Sequence, residues 1–201
     1  MKTGNRSRRT TLLGLLTAIL MVFGLTPLGY LNIGPLAISF NMIPVAIGAA
    51  ALGPVGGAIL GAVFGMTSFL QCLGIGGSSA MGVILFDIHP FLAFVQRFVP
   101  RVMAGFLVGV IYMVARRICK PGIAGGIAGF FAAFLNTVLF MGALVLLFGD
   151  TQYLTDLMAG RNVIVFICTF VGINAVAEML ATTVVTAALC SALERAGLMR
   201  R

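Results

Sequence analysis

Tryptophan is missing from the chain, histidine occurs once, and only five residues are acidic. Each shortage closes off some chemistry. The single histidine, His89, stands beside Pro90 and belongs to no H-E-x-x-H motif, so a metal site of ordinary ligand count is excluded and no metal is expected. The same scarcity leaves the serines of the GSS run at 77–79 without an intramembrane base, and no pair of aspartates falls inside an apolar run. An intramembrane enzyme is therefore not expected. No G-x-x-x-x-G-K-[ST] loop occurs, so ATP chemistry by the common P-loop route must come from another chain, and no cofactor is expected. Four cysteines, Cys72, Cys119, Cys168 and Cys190, form no C-x-x-C pair and lie in or beside apolar segments, as small hydrophobes do.

What is present is apolar. Of 201 residues 60% are hydrophobic and 9% charged, a balance that could not cover a soluble domain with polar groups. The length suits one all-α membrane bundle of roughly six helices of about 20 to 25 residues, residues 1–201 forming a single domain. The net charge of +8 does not point to nucleic acid, because the basic residues gather at the two ends and in one short loop between apolar spans. A basic start followed by an apolar run resembles a secretory signal; with no small-x-small cleavage site after it, the run is kept as the first membrane helix.

Apolar runs and breakers predict spans at about 10–29, 40–52, 54–73, 91–115, 122–149 and 163–190. The second is short, and the LGP turn at 52–54 predicts a tight hairpin to the third. Lys2, Arg6, Arg8 and Arg9, then Arg116, Arg117 and Lys120, then Arg195, Arg200 and Arg201 fall on one side of six spans, which predicts both termini in the cytoplasm of a bacterial plasma membrane. The opposite loops, about 30–39, 74–90 and 150–162, hold Asp87, Asp150 and Asp156 with only Arg161, and face outside. Tyr30 and Tyr153 are expected in an interfacial aromatic belt, and His89 in a loop.

Small residues recur every fourth position: Gly53, Gly57, Gly61 and Gly65; Gly105 and Gly109; Gly122 with Gly126 beside Gly125 with Gly129. Such ridges let backbones approach closely in lipid, either within the bundle or against a partner's helices, for which Gly14 with Ala18 is the candidate.

The costly residues are Arg97 and Arg101, each about 2.5 to 3.5 kcal/mol if left facing lipid. At 1.5 Å per residue from the external ends, Arg97 lies about 9 Å deep, Arg101 about 15, Asn174 about 17, Asn136 about 20 and Glu178 about 23. The last three spans can therefore pool them in one cavity opening outward. Arg97 with Arg101, and Asn174 with Glu178, are four apart and share a face. Pro100 between the arginines is expected to kink the span and free backbone groups. Two readings stay open: Arg101 and Glu178 pair to hold helices in register, or two arginines against one glutamate leave a positive surplus for an anionic ligand such as a carboxylate. Ser68, Gln71 and Asn41 either line the same cavity or cap helices at the interface.

Four segments, IPVAIGAAALGPVGGAILGAVFGMTSFL, FVPRVMAGFLVGVIY, FLNTVLFMG and INAVAEML, occur in an order that resembles the substrate-binding S components of energy-coupling factor vitamin transporters, most similarly the pantothenate branch. The likeness covers about residues 10–193. It implies a six-helix protein that captures a vitamin outside and works with a transmembrane coupling (T) subunit and two cytoplasmic ATPases, releasing substrate by toppling in the membrane. It also implies a docking face on the first helix, where family members often carry Ala-x-x-x-Ala and this chain has Gly14 and Ala18. For pantothenate it implies Arg101 and Arg97 on the carboxylate; Asn136, Asn174, Asn41 or Gln71 on the hydroxyls and amide; and Glu178 on an arginine or a hydroxyl. Folate, pyridoxine or another vitamin, and a structural or assembly protein without a small ligand, are the alternatives.

Overall fold

The computed structural model describes residues 2–26, 29–33, 36–76, 79–160 and 162–197. Arg161, Arg200 and Arg201, counted above toward orientation, lie outside them, as does the side chain of Tyr30. The described chain is almost wholly helical: α1 (Lys2–Leu25), α2 (Met42–Leu52), α3 (Pro54–Leu70, continued by a 3-10 turn Gln71–Leu73), α4 (Ala80–Ile88), α5 (Pro90–Ala115), α6 (Pro121–Phe148), α7 (Gln152–Met158) and α8 (Val163–Arg195). Between α1 and α2 an antiparallel hairpin pairs β1 (Tyr30–Ile33) with β2 (Leu36–Ser39), in the stretch expected as a plain loop.

Among the described residues five helices are long and apolar enough to cross a bilayer: Ser7–Leu25, Pro54–Leu73, Pro90–Ala115, Pro121–Phe148 and Asn174–Arg195. The 40–52 run is apolar but short. Its helix of eleven residues is about 16 Å long, roughly half a hydrocarbon core of about 30 Å. Gly53, at φ +85°, and Pro54, the first residue of α3, stop α2 at one end, and the hairpin precedes it at the other. Nearly every residue of α2 is buried, and it packs against α1, α3, α5, α6 and α8. Arg9 Nη2 donates to the Leu52 carbonyl at 2.7 Å, so a cation satisfies the last turn of α2 and ties it to the basic start of α1. The amino-terminal end of α2, at Asn41, then lies deep in the bundle.

The glycine ridges explain the main seam. Gly57 of α3 faces the carbonyl of Gly105, Gly61 that of Arg101, and Gly65 lies where a Cβ would meet the Phe98 Cα at 2.9 Å. Any side chain there would collide with α5 backbone. A second seam joins α6 to α8, with Gly125 against Cys190 and Gly129 against Thr182. These ridges pack inside the bundle. Gly14, by contrast, meets nothing within 4 Å.

Two apolar clusters result. The larger, including Leu20, Val45, Phe64, Val108 and Ala128, fills the space among α1, α2, α3, α5 and α6. The smaller joins α4 (Leu85) and α7 (Leu154) to the neighbouring parts of α5 and α6 through Ala93, Met141, Leu144 and Phe148. Both short helices lie in stretches expected as loops, each begun by a hydroxyl cap: Ser79 accepts from the Gly82 amide and Thr151 from that of Leu154. His89 also caps a helix, its Nδ1 accepting from the Leu92 amide at 3.4 Å at the start of α5. Tyr153 packs against the smaller cluster. All four cysteines are unpaired thiols.

Candidate functional site

The α3–α5 seam sets the position of the arginines. With no side chain at Gly61 and Gly65, α5 approaches α3 closely enough for Arg97 and Arg101 to turn into the bundle. They are 5% and 6% exposed, so each guanidinium must be satisfied by protein. Arg97 donates from Nη1 to Ser68 Oγ at 3.3 Å on α3, and from Nη2 to Ser79 Oγ at 3.2 Å ahead of α4. Arg101 donates from Nη1 to the Arg97 carbonyl at 2.7 Å. The Phe140 ring of α6 lies against both guanidiniums, 5.2 Å from the Arg97 Cζ and 4.7 Å from that of Arg101, and Phe64 covers Arg101 at 4.5 Å. Aromatic faces hold a desolvated cation at about 2 kcal/mol or more each. Pro100 is buried in a helix that runs unbroken from Pro90 to Ala115.

Glu178 does not pair with Arg101. Its Oε1 accepts from the Ser39 backbone amide at 2.5 Å, while the Arg101 charge acts on it from farther away. Among the described residues the ion pair within 4 Å is elsewhere, Arg116 with Glu194 at 3.0 Å. Against the register reading, Arg101 and Glu178 thus form no ion pair within 4 Å, and the carboxylate instead holds the hairpin. Ser39 is a hub, its Oγ also accepting from the backbone amide of Asn41 at 3.3 Å and from Asn41 Nδ2 at 3.1 Å. Asn41 is fully buried, and its Oδ1 has no hydrogen-bond partner among the described residues. Asn136 Oδ1 is likewise buried with no partner among the described residues, one turn before Phe140 on α6. Unpaired buried acceptors cost about 1 to 3 kcal/mol each.

Arg97 and Arg101 thus meet at Phe140, one turn from Asn136, and Glu178 and Asn41 meet at Ser39; the Arg101 charge links the two groups by its effect on Glu178. Asn174 lies half-buried on α8 one turn from Glu178, and no hydrogen bond joins it to the described residues. Gln71 points elsewhere, its Nε2 donating to the Gly24 carbonyl at 2.6 Å and tying α3 to α1. Ser39, Ser79, Phe64 and Phe140 escaped sequence reasoning. Only Ser79 carried a local signal, a serine immediately before an apolar run.

The open, wet chamber expected here is instead filled by rings and hydroxyls. Two grooves, of about 290 and 820 Å³, lie at the basic end, and neither is lined by these arginines.

Five helices apolar enough to cross a bilayer, with two arginines buried among them, define a multi-pass membrane protein. The family described as ECF transporter, substrate-specific component, matches residues 8–190, and the chain belongs to that family. It is 26% identical over 204 residues, 96% of each chain, to "Pantothenic acid transporter PanT" of Lactococcus lactis. It is 30% identical over 196 residues, 92% of this chain and 90% of the relative, to "Pantothenate transporter PanT" of Leuconostoc mesenteroides. Family membership makes it the subunit that binds the small-molecule substrate of an ECF transporter in the bacterial plasma membrane, working with a T subunit and ATPase module.

Proposed function

We propose that this chain captures pantothenate on the outer side of the membrane and presents it to its transporter. The observation that carries this reading is the burial of two guanidiniums against the Phe140 ring, with the buried Asn136 Oδ1 one turn away. A substrate carboxylate would take the N–H directions that Arg97 now gives to Ser68 and Ser79, and those of Arg101, in the bidentate geometry guanidinium favours. Pantothenate carries two hydroxyls and an amide beside its carboxylate. Their donors match Asn41 Oδ1 and Asn136 Oδ1, which have no hydrogen-bond partner among the described residues, with Asn174 as a further candidate. Glu178 holds the hairpin through Ser39 and so positions Asn41. The names of both relatives support the same vitamin.

In the membrane, α2 and the hairpin together make the sixth crossing, entering from outside and ending beside Arg9, with both termini cytoplasmic. Gly14 and Ala18, exposed on α1 with Leu15 and Val22, form the face for the T subunit, which links the chain to two ATPases.

The test is calorimetric titration of the purified chain with pantothenate, folate and pyridoxine, alongside mass spectrometry of small molecules carried through purification. Pantothenate is expected to bind and the others not. Arg101→Ala is expected to weaken binding at least thirtyfold, about 2 kcal/mol, while the protein still inserts. Affinity within about threefold of the parent, about 0.7 kcal/mol, would rule out a direct carboxylate contact.

A further inference from the structure

Beside Arg97 on α5 stands Gln96, fully buried and among the largest side chains to be so. A polar side chain inside a membrane bundle has two ordinary uses, to tie helices together or to meet a ligand. As a tie Gln96 is weak. Its Nε2 donates to the Phe140 carbonyl of α6 at 3.5 Å, the outer limit of a hydrogen bond, and that carbonyl lies inside α6, where the helix ladder already uses it. The other end of the amide does nothing for the fold: Oε1 is buried with no hydrogen-bond partner among the described residues. Turning the amide over gives no relief, because it would set Oε1 against the Phe140 carbonyl. Methionine would fill the same volume without burying an unpaired acceptor.

The position of Gln96 suggests what the oxygen is for. Phe140 is the residue against which both guanidiniums rest, 5.2 Å from Arg97 Cζ and 4.7 Å from that of Arg101, and Gln96 reaches the backbone of that same residue. Gln96, Arg97, Pro100 and Arg101 are all buried on α5, with Gln96 about 7.5 Å before Arg101 along the axis. Among the described residues three side-chain amide oxygens are buried without a partner: Asn41 Oδ1, Gln96 Oε1 and Asn136 Oδ1. Pantothenate offers the same number of neutral donors, its two hydroxyls and its amide N–H. The N–H is separated from the carboxylate by two methylene groups, and the hydroxyls lie farther along. With the carboxylate on the arginines, the N–H is the donor nearest the oxygen on α5.

We infer that Gln96 is a substrate contact that sets specificity, its Oε1 accepting from the amide N–H of an acid whose carboxylate Arg97 and Arg101 hold, a role that rests on pantothenate being the vitamin carried. A site built around such an oxygen rejects an acid without the donor, because binding would leave the oxygen buried and unpaired.

Calorimetric titration of the full chain with pantothenate and with its ester isostere, in which oxygen replaces the amide nitrogen, tests this in the parent and in Gln96→Met, alongside thermal unfolding of both without ligand. The parent is expected to bind pantothenate at least tenfold more tightly than the ester. Gln96→Met is expected to lose at least tenfold for pantothenate, to hold the ester within threefold of the parent's affinity, and so to bind the two nearly alike. Its ligand-free unfolding temperature should stay level or rise, since an unpaired buried acceptor has gone. Gln96→Leu gives the same comparison if the methionine variant fails to insert. A parent that does not distinguish the two ligands, or a variant that keeps the full preference, would overturn the inference and leave the vitamin in place. So would a lowered unfolding temperature with equal losses for both ligands, which is how a helix tie would behave. A parent that binds neither ligand would overturn the choice of vitamin, and the role of Gln96 with it.

Discussion

The seam between α3 and α5 and the outer face of α1 are both built on small residues, and they do opposite things. At the seam Gly57, Gly61 and Gly65 leave no room for a single methyl, because α5 backbone occupies the space. On α1 Gly14 meets nothing within 4 Å, and Leu15, Met21 and Val22 are exposed around it. The same spacing that closes one interface leaves the other open. Small residues every fourth position give a helix the capacity for close approach; only the neighbours decide whether it is used. Here the used seam carries the arginines, so its tightness bears directly on ligand geometry.

The largest effect should come from breaking the seam where it meets the site. Gly61→Ala would drive a Cβ into the Arg101 carbonyl, and helix backbones cannot give way as a flexible side chain can. Overpacking of this kind costs about 1 to 3 kcal/mol. Thermal unfolding in detergent is expected to show a transition lowered by several degrees, and pantothenate affinity should fall with it, because Arg97 and Arg101 move with α5. A variant as stable as the parent would show that the seam can open without cost.

A smaller effect tests the polar contact across the same seam. Ser68→Ala leaves the helices packed and removes the α3 acceptor of the Arg97 guanidinium. A hydrogen bond of this kind contributes about 1 kcal/mol, so stability should fall by about that much in the ligand-free protein. Binding should respond less, since a carboxylate would take the same N–H. Calorimetry showing a loss as large as that of Arg101→Ala would mean that Ser68 itself touches the substrate.

How much of this was readable in advance follows from which signals are local. The glycine spacing and the four-residue pairing of Asn174 with Glu178 are properties of one helix each, and α3, α5, α6 and α8 formed where apolar runs put them, whereas α1 ends at Leu25 rather than at 29. The short α4 and α7 read as loops because seven to nine residues between breakers, mixed in polarity in α7, carry little periodic signal until the cap is noticed. Ser79 and Thr151 were those caps. The bond from Ser39 to Glu178 spans 139 residues, and nothing in either neighbourhood announces it. The same is true of Phe64 and Phe140, which read as ordinary apolar positions and prove to be the faces that hold the guanidiniums. Burial of a charge was legible; the means of satisfying it was tertiary.

The smallest effect on the isolated protein, and the sharpest contrast with Gly61, is expected at Gly14. Leucine there points into open space, gains helix propensity over glycine by up to about 1 kcal/mol, and should leave the unfolding temperature unchanged or slightly raised. Pantothenate binding should stay within twofold. If the open face of α1 is where the T subunit docks, the same substitution removes close backbone approach, and co-purification with the T subunit and the ATPases should fall while the free subunit accumulates. A Gly14→Leu protein that assembles normally would assign the docking to another face, and the two small-residue ridges would then differ only in packing.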